Sequence, residues 1–238
     1  KSDAFASDVV SIFEDRDLVS APVIDKNNIL IGRITIDDVV DVIREESEST
    51  VLNMAGLTDE EDIFAPILPS ARRRAIWLGI NLITALIASG VISLFQDTIE
   101  KVVALAVLMP IVASMGGIAG SQTLTLVIRG IALGNISSAN SKSLLIKEIL
   151  IGLLNSLLWA SVIGVLSSYW FNNYLIGIVI GIAMIANLGF AALSGVVIPI
   201  ILKKIGVDPA LAGGVILTTI TDVIGFFSFL ALGTFFLL

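Results

Sequence analysis

PALAGGVILTTITDVIGFFSFLALGTFFLL, Pro209 to Leu238, is an apolar run long enough to cross a bilayer, interrupted by one ionisable side chain, Asp222. Asp222 lies 14 residues past Asp208, which is about 21 Å along a helix and near the bilayer midplane. A carboxylate there is costly and normally faces a protein interior or a wet cavity, where it marks an ion or substrate path. The alternative is a protonated Asp hydrogen-bonded between helices. Gly214, Thr218, Thr221, Asp222 and Gly225 fall on one helical stripe, while Ile216, Ile220, Val223 and Phe227 occupy the other sides. One face is small and polar, and the rest suits lipid.

Four more stretches reach spanning length, roughly Ala75–Phe95, Val102–Ile128, Leu144–Trp170 and Tyr174–Leu202. The expected architecture is mostly α: five membrane helices over residues 72–238, preceded by a partial α/β unit (1–36) and an acidic linking helix and loop (37–71). In the second span, Pro110 and the Gly116-Gly117 pair point to a kink or local unwinding. Pro110, Ser114, Gly117, Ser121 and Thr125 share one face there, with Gln122 beside it. Such a face serves close helix packing as well as a pore lining. Gly177 and Gly181 in the fourth span read as packing. GGIAGSQTLT (Gly116–Thr125) loosely resembles GGVILTTITD (Gly213–Asp222), on two spans that run in opposite directions. Inverted repeats of this kind often frame transporter sites.

Across 238 residues the chain is 56% hydrophobic and 15% charged, with a mean hydropathy of +0.98. It has no Cys and no His, which removes thiolate chemistry and imidazole bases and leaves a membrane enzyme without a base for its Ser or Thr hydroxyls. Residues 1–70 carry 16 acids against 5 bases, net −11, and residues 71–238 carry 5 against 9, net +4. The acidic head repels nucleic acid and anionic lipid and attracts cations. Arg72, Arg73, Arg74, Arg129, Lys142, Lys147, Lys203 and Lys204 fall on one side of a five-span arrangement, against Lys101 on the other. That bias places the head in the cytoplasm and Leu238 outside. The chain starts at Lys1 and reads as part of a longer protein.

In the head, Ala21–Ile24 and Ile29–Ile36 read as strands around an Asp25–Asn28 turn. About forty residues are too few for a core of their own, so the unit reads as half of a domain. From Asp37 to Ala55 a polar helix follows, with Asp38, Asp41, Glu45 and Glu48 on one face and Val39, Ile43 and Val51 on another. Residues 56–71, with Asp59, Glu60, Glu61, Asp62 and two prolines, read as a loop.

One carboxylate per chain, hydroxyls and backbone carbonyls are hard oxygen ligands, and soft metals are disfavoured. Mg2+ keeps most of its waters and is commonly held by one or two carboxylates. A two-fold homodimer would bring two Asp222 side chains to one axis. The alternatives are a proton-coupled secondary carrier of another divalent cation, and a non-transporting Mg2+ sensor or membrane anchor.

MPIVASMGGIAGSQTLTLVIRG (Met109–Gly130) and DPALAGGVILTTITDVIG (Asp208–Gly225) resemble the membrane domain of MgtE-type magnesium channels. APVIDKNNILIGRITIDDVVDVI (Ala21–Ile43) is similar to the end of a CBS (cystathionine-β-synthase-type) domain. The resemblance implies a homodimeric Mg2+ channel of the cytoplasmic membrane, with Mg2+ both transported and regulatory. It implies that Asp222 holds hydrated Mg2+, that Thr218 adds pore oxygen, and that Asp208 binds cation at the cytoplasmic mouth. Gly116, Gly117 and Gln122 would shape the pore, alongside Gly214, Thr221 and Gly225. Asp38, Asp41 and Glu46 match acidic positions that bind regulatory Mg2+. The pattern departs from the family's GGN at Ile118, and Ser49 and Thr50 replace acids of the linking helix. Gly32-x-x-Thr35-x-x-Asp38 resembles a CBS ribose pattern, implying ATP at an intact CBS domain; the same residues read equally as a helix N-cap.

Overall fold

Tyr174–Lys204 is apolar on every side, so as a helix it can be satisfied only by being surrounded. In the computed structural model, which describes residues 1–57, 64, 66–136 and 140–238, that is where it sits. The chain divides into two units, Lys1–Phe64 and Ala65–Leu238.

The first unit contains helix α1 (Ala6–Arg16), the strands β1 (Ser20–Ile24) and β2 (Leu30–Thr35), and helix α2 (Ile36–Met54). The strands pair antiparallel, with a bulge at Val23/Ile24. Their turn is fixed by Asp25, whose Oδ1 accepts the N–H groups of Asn27 and Ile29, both at 2.8 Å. Phe13 of α1 (2% exposed) and Val39 of α2 (1%) form the core. A cavity of about 420 Å³ lies among them, lined by Val9, Val23, Val39 and Val42 among others. Two readings change here. Helix α1 was not expected from the sequence, although Val9, Val10 and Phe13 have helical spacing and Asp8 and Arg16 complement its dipole. The apolar side of α2 runs through Val39 and Val42, whereas Ile43 and Val51 are exposed.

The second unit holds five helices long and apolar enough to span a membrane. They are α3 (Ile67–Ser93), α5 (Val103–Ala132), α6 (Ser141–Trp170), α7 (Tyr174–Lys204) and α8 (Pro209–Leu237), with the short α4 (Gln96–Lys101) after α3. Helix α3 begins at Ile67, inside the stretch read as loop; Pro69 falls in its first turn, where the missing N–H has no intrahelical partner to lose. The acids Asp59 to Asp62 lie outside the described residues. Helix α5 runs unbroken through Pro110 and Gly116-Gly117. One missing N–H costs a single ladder bond, and packing by Leu105, Leu108 and Val112 holds the rod on both sides.

Helix α7 packs against α5, α6 and α8, and α3 lies along α8. Leu105, Leu108, Val112, Ile180, Met184, Leu188, Phe229 and Leu230 form the main core. In lipid, helix association draws on close packing of small residues. The α6–α7 hairpin shows it: a β-carbon at Gly164 would lie 3.0 Å from the Gly177 carbonyl, and one at Gly177 would collide with the Gly164 carbonyl and the Ser168 hydroxyl. Gly177→Ala is therefore expected to destabilise the protein by about 1–3 kcal/mol through overpacking. Gly189→Ala on the same helix meets nothing within 4 Å and is expected to be neutral or stabilising. Thermal unfolding of both variants in detergent checks the contrast.

Candidate functional site

Asp222 stands half-way along α8 and is half-buried. The contacts of α8 with α5 explain its position. Leu105 meets Gly233, Val112 meets Gly225, Leu217 meets Gly120, and Leu124 meets Gly213. The two helices are therefore antiparallel, with a register held over four helical repeats. That register sets Asp222 level with Met115 and Gly116.

The residues expected on one stripe divide between two faces. Gly213, Leu217, Thr221 and Gly225 are buried within the chain. Thr221 is fully enclosed and donates to the Thr218 carbonyl at 3.1 Å. Gly214, Thr218 and Asp222, four residues apart, form the adjoining half-buried line. The Thr218 hydroxyl donates to the carbonyls of Gly214 (3.0 Å) and Val215 (3.1 Å), which leaves its lone pairs available to a ligand.

Helix α5 divides in the same way. A β-carbon at Gly116 would collide with the Asn187 amide, whereas Gly117 has nothing within 4 Å. Pro110, Ser114, Ile118, Ser121, Gln122 and Thr125 are exposed on the open side. In α8, a β-carbon at Gly213 would lie 3.1 Å from Leu124, whereas Gly214 also has nothing within 4 Å. In each glycine pair the first residue admits a neighbouring helix and the second faces open space. Of the six residues expected to line a pore, Gly117, Gln122 and Gly214 lie on the unpacked side. Gly116, Thr221 and Gly225 lie in the packing.

Asp208 is the N-cap of α8, its Oδ1 accepting from the Ala210 N–H at 2.9 Å. In the first unit, Asp38 Oδ2 accepts both the backbone N–H and the hydroxyl of Thr35, each at 2.8 Å, which closes the start of α2. These two bonds, the backbone one foremost, hold the Asp38 carboxyl below the usual carboxylate range. The Gly32, Thr35, Asp38 pattern thus contains a working helix cap. Asp41 and Glu46 are exposed on α2, and Glu48 pairs with Arg44 at 3.2 Å. Among the described residues no three acidic side chains converge as a metal cluster.

Two buried polar groups were missed in the sequence. Glu148 of α6 is buried and accepts a hydrogen bond from the Thr123 hydroxyl of α5 at 3.2 Å. Asn187 of α7, with 0% exposure, donates its Nδ2 to the Val112 carbonyl at 2.8 Å. Asn187 is a lone polar residue in an apolar run, whereas Glu148 follows Lys147 at the polar start of its span and reads there as a surface charge.

Fold and site together define a five-span membrane protein with one mid-helix carboxylate facing a line of small and hydroxyl-bearing residues. The profile of the MgtE family, described as a divalent cation transporter, matches residues 109–232, and the chain belongs to that family. It is similar to proteins named magnesium transporter MgtE from three bacteria. The Bacillus subtilis (strain 168) protein is 32% identical over 97% of this chain and 51% of the relative. The Enterococcus faecalis one is 32% identical over 90% and 47%, and the Thermus thermophilus one 30% over 97% and 52%. The chain spans about half the length of these curated relatives.

The division of faces is open to direct measurement, because the chain has no cysteine. Single cysteines at Gly117, Gly214 and Thr218 are expected to react with a water-soluble thiol reagent in membranes, and Thr221→Cys is expected to stay unlabelled. Labelling at Thr221 with none at Gly214 and Thr218 contradicts this assignment.

Proposed function

We propose that the chain forms the membrane part of a homodimeric, Mg2+-selective channel of the cytoplasmic membrane, with the head in the cytoplasm and Leu238 outside. The observation that carries the reading is the half-buried Asp222, half-way along α8 and level with Met115 and Gly116, on a line of half-buried residues beside the packed face. The names of the three relatives support Mg2+ as the cargo.

A second copy across a two-fold axis supplies a second Asp222. Two carboxylates balance one divalent ion, and their oxygens accept hydrogen bonds from its water shell, so Mg2+ passes without being stripped. Thr218, one turn nearer the start of α8, adds hydroxyl oxygen on the same line. Asp208 attracts cations toward the N-terminal end of α8. Asp222→Asn and Asp222→Ala are expected to lose Mg2+ flux into liposomes while remaining folded dimers. Retained flux rejects the site. Single-channel currents separate a channel from a proton-coupled carrier, and absence of flux in the native protein would favour a sensor or anchor.

The excess of acids in residues 1–70 supports gating by cytoplasmic Mg2+. At low Mg2+ the acidic heads repel each other; at high Mg2+ the ion bridges carboxylates including Asp38, Asp41 and Glu46 and the pore closes. These residues belong to a CBS-type end and linking helix, and ATP binding would require the complete domain. Because Asp38 also caps α2, the cleaner test is Asp41→Asn with Glu46→Gln. That variant is expected to conduct at Mg2+ concentrations that close the native channel, and unchanged inhibition counts against gating through these acids.

A further inference from the structure

The amide of Asn187 occupies the point where the two motif-bearing helices approach α7. It is fully buried. Its Nδ2 donates to the Val112 carbonyl of α5 at 2.8 Å. A β-carbon at Gly116 would collide with the amide, and one at Gly225 of α8 would lie 2.8 Å from Nδ2 and 3.2 Å from Val112 Cγ1. The absence of a side chain at both positions makes room for this one amide. Its Oδ1, equally buried, has no hydrogen-bond partner among the described residues.

A buried amide with an unpaired oxygen is an unfavourable way to fill a membrane core, because an apolar side chain of similar volume leaves nothing unsatisfied. Ile180, Met184 and Leu188 show that α7 otherwise fills its core with such side chains. Stability alone therefore does not account for Asn187. Its location does: Gly225 is within one turn of Asp222 on α8, and Gly116 is next to Gly117 on α5. The amide fixes how far α5 and α8 stand apart, and how they are rotated, at the level of Asp222.

We infer that Asn187 is a positioning residue for ion selection, a wedge that sets the spacing of the Asp222 carboxylate from the open face of α5 and so the size of hydrated cation the site accepts. The inference rests on the reading of Asp222 as the ion site. A hydrated ion is recognised by oxygens placed to meet its water shell, so a small shift of one helix changes which ion fits. Groups that orient metal-binding residues from behind typically alter affinity by about 10–100-fold when removed.

The test compares Mg2+ with Ca2+ flux into liposomes for the full chain and for Asn187→Ala, with Asp222→Asn alongside. The expected result is a folded Asn187→Ala dimer whose Mg2+:Ca2+ flux ratio falls about tenfold. A merely structural role would lower both fluxes together and leave the ratio unchanged, which overturns the inference. Where Asn187→Ala does not fold or does not conduct, Gly225→Ala carries the test: its β-carbon displaces the amide without removing it. The same shift in ratio supports the wedge, and a native ratio or loss of all flux overturns it. If the native protein and Asp222→Asn conduct Mg2+ equally, the reading of Asp222 itself fails. If Asp222→Asn alone is dead and the Asn187 and Gly225 variants keep the native ratio, only the wedge fails.

Discussion

A carboxylate half-way along a membrane helix must be met by water, by a cation or by another polar group, because hydrocarbon offers it nothing. That constraint governs how α8 is used. Its tight face, from Gly213 through Leu217, Thr221 and Gly225, is taken up by α5 and α7. The line Gly214, Thr218, Asp222 is left half-buried beside it. Asp222 is the one acid on α8, and Thr218 and Gly214 precede it on the same half-buried line. Such a line is what the proposed two-fold partner and a divalent ion would meet together.

The five spans were legible because bilayer thickness demands long apolar runs and only helices satisfy their backbones within them. Asp222 was legible for the same reason, being the single breach in its run. The division of its stripe was not. Thr221 and Asp222 differ by about 100° around the helix, and only the α5 contacts decide which of them is enclosed. Asn187 escaped notice because one asparagine in a uniformly apolar helix has no periodicity. Its meaning comes from Gly116 and Gly225, far from it in sequence. Helix α1 escaped because its apolar positions sit in an acidic segment, and its burial depends on α2. At the start of α2, Asp38 belongs to two readings at once. A carboxylate that closes a helix cap still has a second oxygen facing solvent, so capping does not remove it from cation binding.

The two short segments that resemble each other, Gly116–Thr125 and Gly213–Asp222, prove to be antiparallel neighbours. The α5–α8 register sets them directly against one another. In both, the first glycine of the pair admits an opposing helix and the second faces open space. This arrangement has a local physical cause. A glycine pair removes side chains from two directions about 100° apart, so a single motif gives close approach on one side and an unobstructed wall on the other. Because the two motifs run in opposite directions, their glycine pairs fall at opposite ends of the shared stretch, Gly117 across from Ile220 and Gly214 across from Thr123. The carboxylate appears in only one of them, where the α5 segment carries Thr125 at the matching position. Each chain therefore contributes one charge rather than two. In the proposed dimer that makes two negative charges, a number suited to one divalent ion, whereas a carboxylate in both motifs would give four and hold the ion too tightly to release it.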